Sequence, residues 1–402
     1  MRRVQSARAM LVAILMAASP CAAHAETLKL GVLTDFGGMT ADAAGQGSVD
    51  AAQMAVDDMR AKLPAWTVEI VSADHQNKPD VGSGIARRWI DQENVDVVVG
   101  VPNSAVALAV QQVTKDKKRI FLITGGTSVD LTGKSCSPYA AHWTDDTYSL
   151  AAGLMRGLLA AGKKTFFFIT VDYAGGHSLE AEGRRQIESG GGKVLGVVRH
   201  PPNAPDFSSF LLQAQASRAD VIVLANVGAD TIQAIKQAHE FGIATGGQSL
   251  VGMALFVTDV NSLGLDAAQG LFLSTGYYWD LNEGTRAFGR RFFARIGRMP
   301  TREQAETYSA ALHYLRGVAA LQTKDAARVM GWMKANAVDD FYAPGARLRE
   351  DGRLLHPVYL AEVKAPADTR YRWDYYAIRE TLDPAQVFRP LAEGGCAFIA
   401  KP

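Results

Sequence analysis

Short apolar runs alternate with amphipathic stretches along this chain, and nearly every run empties into small or polar residues. The pattern is densest over residues 96–128. There Val97-Val98-Val99-Gly100-Val101 leads into Pro102-Asn103-Ser104, and Ile120-Phe121-Leu122-Ile123 leads into Thr124-Gly125-Gly126-Thr127-Ser128. Runs of this kind, bounded by turn residues, predict buried parallel strands. Residues 105–113 between them have helical apolar spacing, which makes the unit strand, loop, helix, strand. Ligands of such sheets sit beyond the carboxyl ends of strands, where backbone N–H groups and helix N-termini gather. Two adjacent strand ends offering hydroxyls and bare backbone therefore make a candidate pocket floor. Ordinary βα turns, which favour the same residues, are the alternative.

The alternation continues on both sides. Leu28-Lys29-Leu30-Gly31-Val32-Leu33 predicts a strand, a turn-rich loop spans 34–40, and a helix over 43–63 aligns Ala51, Met54, Ala55 and Met59. A strand over 66–73 ends in Asp74-His75-Gln76-Asn77-Lys78-Pro79-Asp80, followed by a helix of about three turns. Further on come a helix over 153–161, a strand over 165–170 and a helix over 178–188 stopped by Gly190-Gly191-Gly192. A strand over 194–198, a helix over 231–241 and strands over 250–256 and 270–275 follow. Helices over 283–295, 303–321 and 326–335, a strand over 358–363 and an extended tail complete the series. Strands alternating with helices in this way predict a parallel α/β sheet.

Part of the series repeats. His75, Asn77, the Pro79-Asp80 pair, a helix and Asp96-Val97-Val98-Val99 are echoed by His200, Asn203, Pro205-Asp206, a helix and Asp220-Val221-Ile222-Val223. Asp80 and Asp206 lie 126 residues apart, Asp96 and Asp220 lie 124 apart, and each copy ends in a loop with Asn, at Asn103 and Asn226. A duplicated βαβ lobe is the simplest source of so ordered a set.

Length agrees, because 402 residues exceed one compact core of ordinary size and call for two lobes. A formal net charge of +1 gives no case for nucleic acid or an anionic membrane surface as the main partner. The first residues add a compartment. Arg2, Arg3 and Arg8 precede an apolar run over 10–18, and Ala23-His24-Ala25 follows, as in an export signal cleaved after Ala25. The run is too short to span a bilayer, and Pro20 before Cys21 fits lipidation poorly. Cleavage leaves Cys136 and Cys396, which an oxidising compartment is expected to pair, with two separate buried thiols as the alternative.

Enzyme chemistry is not written in the chain. It carries no H-E-x-x-H, no Cys-x-x-Cys and no G-x-S-x-G. Gly133-Lys134-Ser135 resembles the end of a phosphate loop, but Ser128 stands where that loop needs Gly. His177 reads as a surface or helix-start residue. Five aromatic positions carry more. Tyr173 follows a strand in a Gly-flanked loop, so its ring is expected to face a ligand. Trp143 sits between the two repeats, where it lines a cleft or wedges a hinge. Tyr277 and its neighbours Tyr278 and Trp279 make a wall for an apolar ligand, with packing for at least one of them.

The order of export signal, Leu30-Gly31-Val32-Leu33-Thr34-Asp35-Phe36-Gly37-Gly38, Asn103-Ser104, Thr124-Gly125-Gly126-Thr127-Ser128 and Asp172-Tyr173-Ala174-Gly175-Gly176 resembles the periplasmic substrate-binding proteins of ABC transporters. The likeness is to the Leu/Ile/Val-binding type and covers essentially the whole mature chain. It implies two similar doubly wound α/β lobes of the type I fold, joined by a three-crossover hinge with the ligand cleft between them. Lobe 1 would hold residues 26–144 and about 276–355, and lobe 2 residues 145–275 and about 356–402 with the tail. Residues 1–25 would be the signal of a periplasmic protein.

The resemblance also implies a role. The protein would be a monomer that captures a small molecule and delivers it to an inner-membrane ABC permease and its ATPase. It would be a non-enzyme with no cofactor, no metal and no nucleic acid partner. A sensor presenting its ligand to a membrane receptor is the first alternative, and an exported α/β enzyme the second. Carried over, Asn103, Ser104, Gly126, Thr127 and Ser128 would hold a carboxylate, with Tyr173 and the Asn226 loop facing them. The family's acidic residue for an ammonium is expected near residue 250, but Val251-Gly252-Met253-Ala254-Leu255-Phe256 contains none. A buried ammonium without a partner is costly, so the expected ligand is a carboxylate with an apolar body near Tyr173, Trp143 and Phe256.

Overall fold

Apolar runs become the strands of two sheets. The structure, a computed structural model, describes residues 25–243 and 246–399, so the export signal expected at the N-terminus lies outside the described residues up to residue 24. β1 (Glu26–Thr34), β2 (Trp66–Asp74), β3 (Val97–Gly100), β4 (Ile120–Ile123) and β5 (Ala140–His142) form one sheet in the order β2-β1-β3-β4-β5, parallel throughout. β6 (Thr165–Val171), β7 (Lys193–His200), β8 (Val221–Val227), β9 (Ser249–Ala254), β10 (Phe272–Thr275), β11 (Val358–Val363) and β12 (Tyr376–Leu382) form the second. Its order is β12-β11-β10-β9-β8-β6-β7, with β11 and β12 antiparallel at the far edge. This is the α/β type I architecture of two doubly wound lobes.

The unbroken apolar run of β3 follows from burial on both faces. Val97 and Val99 pack with Leu28, Leu30, Ile120 and Leu122, while Val98 packs with Leu33, Phe121 and Ile123 on the opposite side. Helices cover both faces. On the first sheet lie α1 (Gly45–Met59), α2 (Pro79–Asp91) and α3 (Ser104–Asp116). The second sheet carries α4 (Thr147–Ala160), α5 (Ala174–Ser189), α6 (Ser208–Ala216), α7 (Ala229–Glu240) and the short α8 (Val257–Leu263) and α9 (Leu265–Ala268). The chain then returns to lobe 1 with α10 (Glu283–Ile296), α11 (Arg302–Leu321) and α12 (Ala326–Ala335). α11 is held along α1 by Thr301 donating to the Ala43 carbonyl at 2.5 Å and by the Gln304 amide donating to Ala44 at 3.2 Å.

Three crossovers join the sheets and meet at one point. Asp145 from the first accepts the Gly276 N–H of the second at 2.7 Å, and His356 of the third stands 3.8 Å from the same carboxylate. The third also runs beside β5, where His142 donates its N–H to Gly352. Gly352 has φ +86°, and a Cβ there would lie 2.3 Å from the Ala140 carbonyl, so only glycine fits. β5 and β12 are two strands the apolar pattern did not announce. β5 is three residues long, and β12 carries Arg379, Glu380 and Thr381 on an exposed edge.

The repeat corresponds to a structural latch used twice. His75 and His200 are fully buried just after β2 and at the end of β7. Beside His75, the Asn103 amide donates to Asn77 at 3.2 Å, and the Asn77 N–H donates to His75 Nδ1 at 3.0 Å. In the second copy Asn226 and His200 are 3.3 Å apart through Nδ2 and Nε2.

After β12, α13 (Pro384–Val387) packs on lobe 2, where Val387 and Phe388 enter its core. The chain then leaves for lobe 1. Arg389 donates to Val129 at 3.1 Å, and the expected disulfide joins Cys396 to Cys136 across 260 residues. The tail therefore adds a fourth link between lobes. The double variant Cys136→Ser, Cys396→Ser is expected to lose about 2–5 kcal/mol of stability. Denaturant unfolding of the oxidised wild type against the variant measures it, and coincident curves would show that the bond does not restrain the folded chain.

Candidate functional site

The βα loops of lobe 1 are wired to one another at the strand ends. The Asp35 carboxylate accepts the Gly38 N–H at 2.6 Å, the Thr40 N–H at 3.0 Å, the Thr40 hydroxyl at 2.8 Å and the Asn77 amide at 2.8 Å. Burial pushes its pKa up, but the bonds from Asn77, Thr40 and Gly38 outweigh this and hold it below the usual carboxylate range. Asn77 passes the chain on to Asn103. Asn103 is the N-cap of α3, its side-chain oxygen accepting from the N–H groups of Ala105 and Val106. Ser104 Oγ accepts both the Thr127 and the Ser128 N–H at 3.2 Å. Gly126 lies close below, where a Cβ would stand 2.7 Å from Ala107, and its carbonyl is 2.7 Å from His142 Nε2.

Lobe 2 closes against this rim. The N–H of Ala229, at the start of α7, points to the Met39 carbonyl at 3.3 Å. Gly228 just before it has φ +58°, and a Cβ there would stand 1.8 Å from the same carbonyl. The two lobes thus touch through backbone at a position that requires glycine. Tyr173 N-caps α5 by position, with its ring folded over Gly175. Burial raises its hydroxyl pKa, with Glu303 and Asp230 adding to the rise.

The charged part of the site comes from the first turns of α11. Arg302 is 2% exposed, its guanidinium lies 4.5 Å over the Phe256 ring, and its Nε is 3.6 Å from Asp145. None of its three guanidinium nitrogens has a hydrogen-bond partner among the described residues. Glu303, also 2% exposed, turns the other way, with Oε2 3.0 Å from where a Cβ on Gly125 would stand. That oxygen is unpartnered too. Glu306 accepts the Tyr342 hydroxyl at 3.0 Å. Asp259 accepts the Phe256 N–H at 2.9 Å. Burial raises the carboxyls of Glu303 and Glu306, and raises Asp259 to about 7, with Arg302 opposing in each case. Beside this cluster lies a narrow cavity lined by Leu255, Phe256, Tyr277, Tyr278, Arg302 and Tyr376 among others. Its roughly 10 Å³ hold about one water.

The structure brings some of the sequence-predicted residues together and holds others apart. Ser104, Gly126, Thr127 and Ser128 form one cluster, and Phe256 and Tyr277 share the cavity. Tyr173 is coupled to Glu303. Asn103 and Asn226 are buried and spend their side chains on internal bonds, Asn226 accepting from Thr231 at 2.7 Å. Trp143 takes the wedging role. Its ring is fully buried 5.6 Å from His313, with Nε1 donating to Ser309 at 3.0 Å. Tyr278 and Trp279 both donate to the Trp373 carbonyl and are packing residues. Residues 251–256 carry no acid, but Glu303 and Glu306 arrive from α11, and Asp259 of α8 folds back onto Phe256. His177 also has a carboxylate after all, Asp172 at 2.7 Å, on the exposed surface.

Two outcomes follow from this geometry. Gly228→Ala is expected to force the lobes apart by a strain of about 1–3 kcal/mol, giving a larger radius of gyration in small-angle scattering with an unchanged circular dichroism spectrum. An unchanged radius would mean that the Met39 contact does not limit closure. Asp259 carries a pH signature. Below about pH 4 both folded and unfolded chains hold its proton. Between about 4 and 7 the unfolded chain has lost it while the folded chain keeps it, so rising pH favours unfolding. Above about 7 that loss is complete. Asp259→Asn is expected to flatten this part of the stability profile in denaturant titrations at pH 4 to 7, and an unaltered slope would assign it to other groups.

Comparison with known proteins agrees with the fold. A Leu/Ile/Val-binding protein homolog of Brucella melitensis is 23% identical over 376 residues, covering 90% of this chain and 94% of that protein. The crystal structure of a periplasmic binding protein from Burkholderia mallei superposes with a TM-score of 0.90 at 43% identity, covering 93% of this chain and 99% of that one. A branched-chain amino acid ABC transporter periplasmic ligand-binding protein from Burkholderia xenovorans gives 0.83 at 42% identity, covering 92% and 99%. The family profile described as periplasmic binding protein matches residues 27–369, and this chain belongs to that family of ABC transporter solute-binding proteins.

Proposed function

We propose that this protein captures a small carboxylate with an apolar or aromatic body by closing its two lobes over it. It then delivers the ligand to an inner-membrane ABC permease and its ATPase. In this reading lobe 1 comprises residues 26–144 and about 276–355, and lobe 2 residues 145–275 and about 356–402. The observation that carries it is a cavity between the lobes in which aromatic rings, Phe256, Tyr277 and Tyr278, stand beside one buried cation, Arg302. Rings supply apolar contact area, and a desolvated guanidinium favours an anion. A solute-binding protein of the same fold from Rhodopseudomonas palustris, 19% identical over 92% of this chain, was crystallised with benzoate. At that identity it supports the fold alone.

Glu303 favours a second reading. Its unpartnered carboxyl oxygen, between Gly125 and Tyr173, could receive the ammonium of a branched-chain amino acid. Burial and the neighbouring acids raise its pKa and work against the ionised form that an ammonium needs. A thermal-shift panel separates the two. Benzoate, 4-methylpentanoate, leucine and valine are compared, and a true ligand at a hundredfold excess over its Kd adds about 2.7 kcal/mol. Stabilisation by the acids and none by the amino acids is expected. The reverse ranking would move the assignment to amino acids.

A further inference from the structure

We propose that the ligand's carboxylate docks on Arg302 and on the hydroxyls of Tyr277 and Tyr376, so that this trio, and not the loop ends of lobe 1, is the anion-reading subsite of the cleft. The inference rests on the functional reading above for the ligand class, and on separate geometry for the place.

The donors are already assembled and unspent. Nε, Nη1 and Nη2 of Arg302 and the hydroxyls of Tyr277 and Tyr376 are all buried without a hydrogen-bond partner, and all three residues line one cavity. Buried polar groups are normally paired, and leaving a charged one unpaired is the costliest case. Phe256 covers one face of the guanidinium, which leaves its N–H edges as the part able to bind. Asp145 balances charge from 3.6 Å but lies outside hydrogen-bond range, and its Oδ2 is committed to Gly276.

Four acids face this arginine, Asp145, Asp259, Glu303 and Glu306. Burial favours the protonated form of the last three, so they do not cancel the cation several times over. The competing place has less to give. Thr127 and Ser128 already donate their N–H groups to Ser104 Oγ, and the Asn103 amide donates to Asn77. Arg302 by contrast offers a planar fork matched to a carboxylate.

The cavity also straddles the hinge. Pro300 and Arg302 travel with α11 on lobe 1, whereas Leu255, Phe256 and Thr275 follow strands of lobe 2. Rotation about the crossovers widens it to admit a carboxylate, and an anion held there bonds both lobes at once.

Two measurements keep the subsite apart from the ligand class. Crystals soaked in sodium bromide are expected to show an anomalous peak among Arg302, Tyr277 and Tyr376 that Arg302→Met abolishes. Calorimetric titration then compares benzoate with benzamide, its uncharged analogue. Arg302→Met is expected to lose about 10- to 150-fold in benzoate affinity while benzamide stays within about threefold. Arg302→Lys, which keeps the charge in a smaller perturbation, should fall between, and circular dichroism checks that each variant is folded. Bromide at Ser104 and Thr127, no bromide at Arg302, or a benzoate loss confined to Ser104→Ala would overturn the subsite. Bromide at Arg302 in a protein that binds none of the carboxylates would overturn the ligand class and leave the subsite standing.

Discussion

A single buried carboxylate organises the middle of this molecule. Asp145 lies where three crossovers meet, itself part of the first, bonded to Gly276 of the second and close to His356 of the third. Taking a charge out of water is tolerable only if it is matched nearby. Here the nearest cation is Arg302, which belongs to the ligand cavity. The hinge and the site consequently share one charge balance. Any rotation that lengthens the distance from Arg302 to Asp145 also changes what the guanidinium offers a ligand. With the ligand placed as proposed, hinge bending and ligand reading would be coupled through the 3.6 Å between Arg302 and Asp145.

The duplicated halves show a division of labour. Each copy places an Asn at or just beyond the end of a central strand and a buried His at the end of the strand two places away in the sheet, and in each copy the Asn is spent on internal bonds. Those bonds lock adjacent βα loops together and cap the following helix in lobe 1. The repeat is thus scaffold. Arg302 and Glu303 of α11, which was not duplicated, keep guanidinium nitrogens and a carboxyl oxygen unpartnered among the described residues. A fold that duplicates its frame and varies its joints can change ligand without disturbing either core.

How far the sequence could be read follows from the same division. Strands such as β3 and β4 were legible because burial on both faces leaves an unbroken apolar run, and α1 because one buried face leaves a 3.6-residue period. β5 is too short to show a period, and β12 is an edge strand whose charges hide one. The site was harder. Arg302, Glu303 and Glu306 look like the solvated start of a helix, and the capping pair Thr301 and Gln304 marks that start clearly. Nothing local says that this helix is buried along nearly its whole length between α1 and the cleft. Position in three dimensions, which no window of sequence contains, turned ordinary charges into site residues. For Trp143 the sequence leaves two readings open, since a Trp at a crossover packs inward as readily as it lines a cleft.

The disulfide sets an order on how the molecule is made. Cys136 is translated 260 residues before Cys396, its partner. Its thiol therefore stays without that partner until the last segment of the chain has been made. Only then can the tail lie across both lobes and be fastened. The bond is in that sense a completion mark. A chain truncated near its end, or stalled in export, can fold its sheets but cannot close this final clasp, and it leaves a solitary thiol by which incomplete molecules can be told from finished ones.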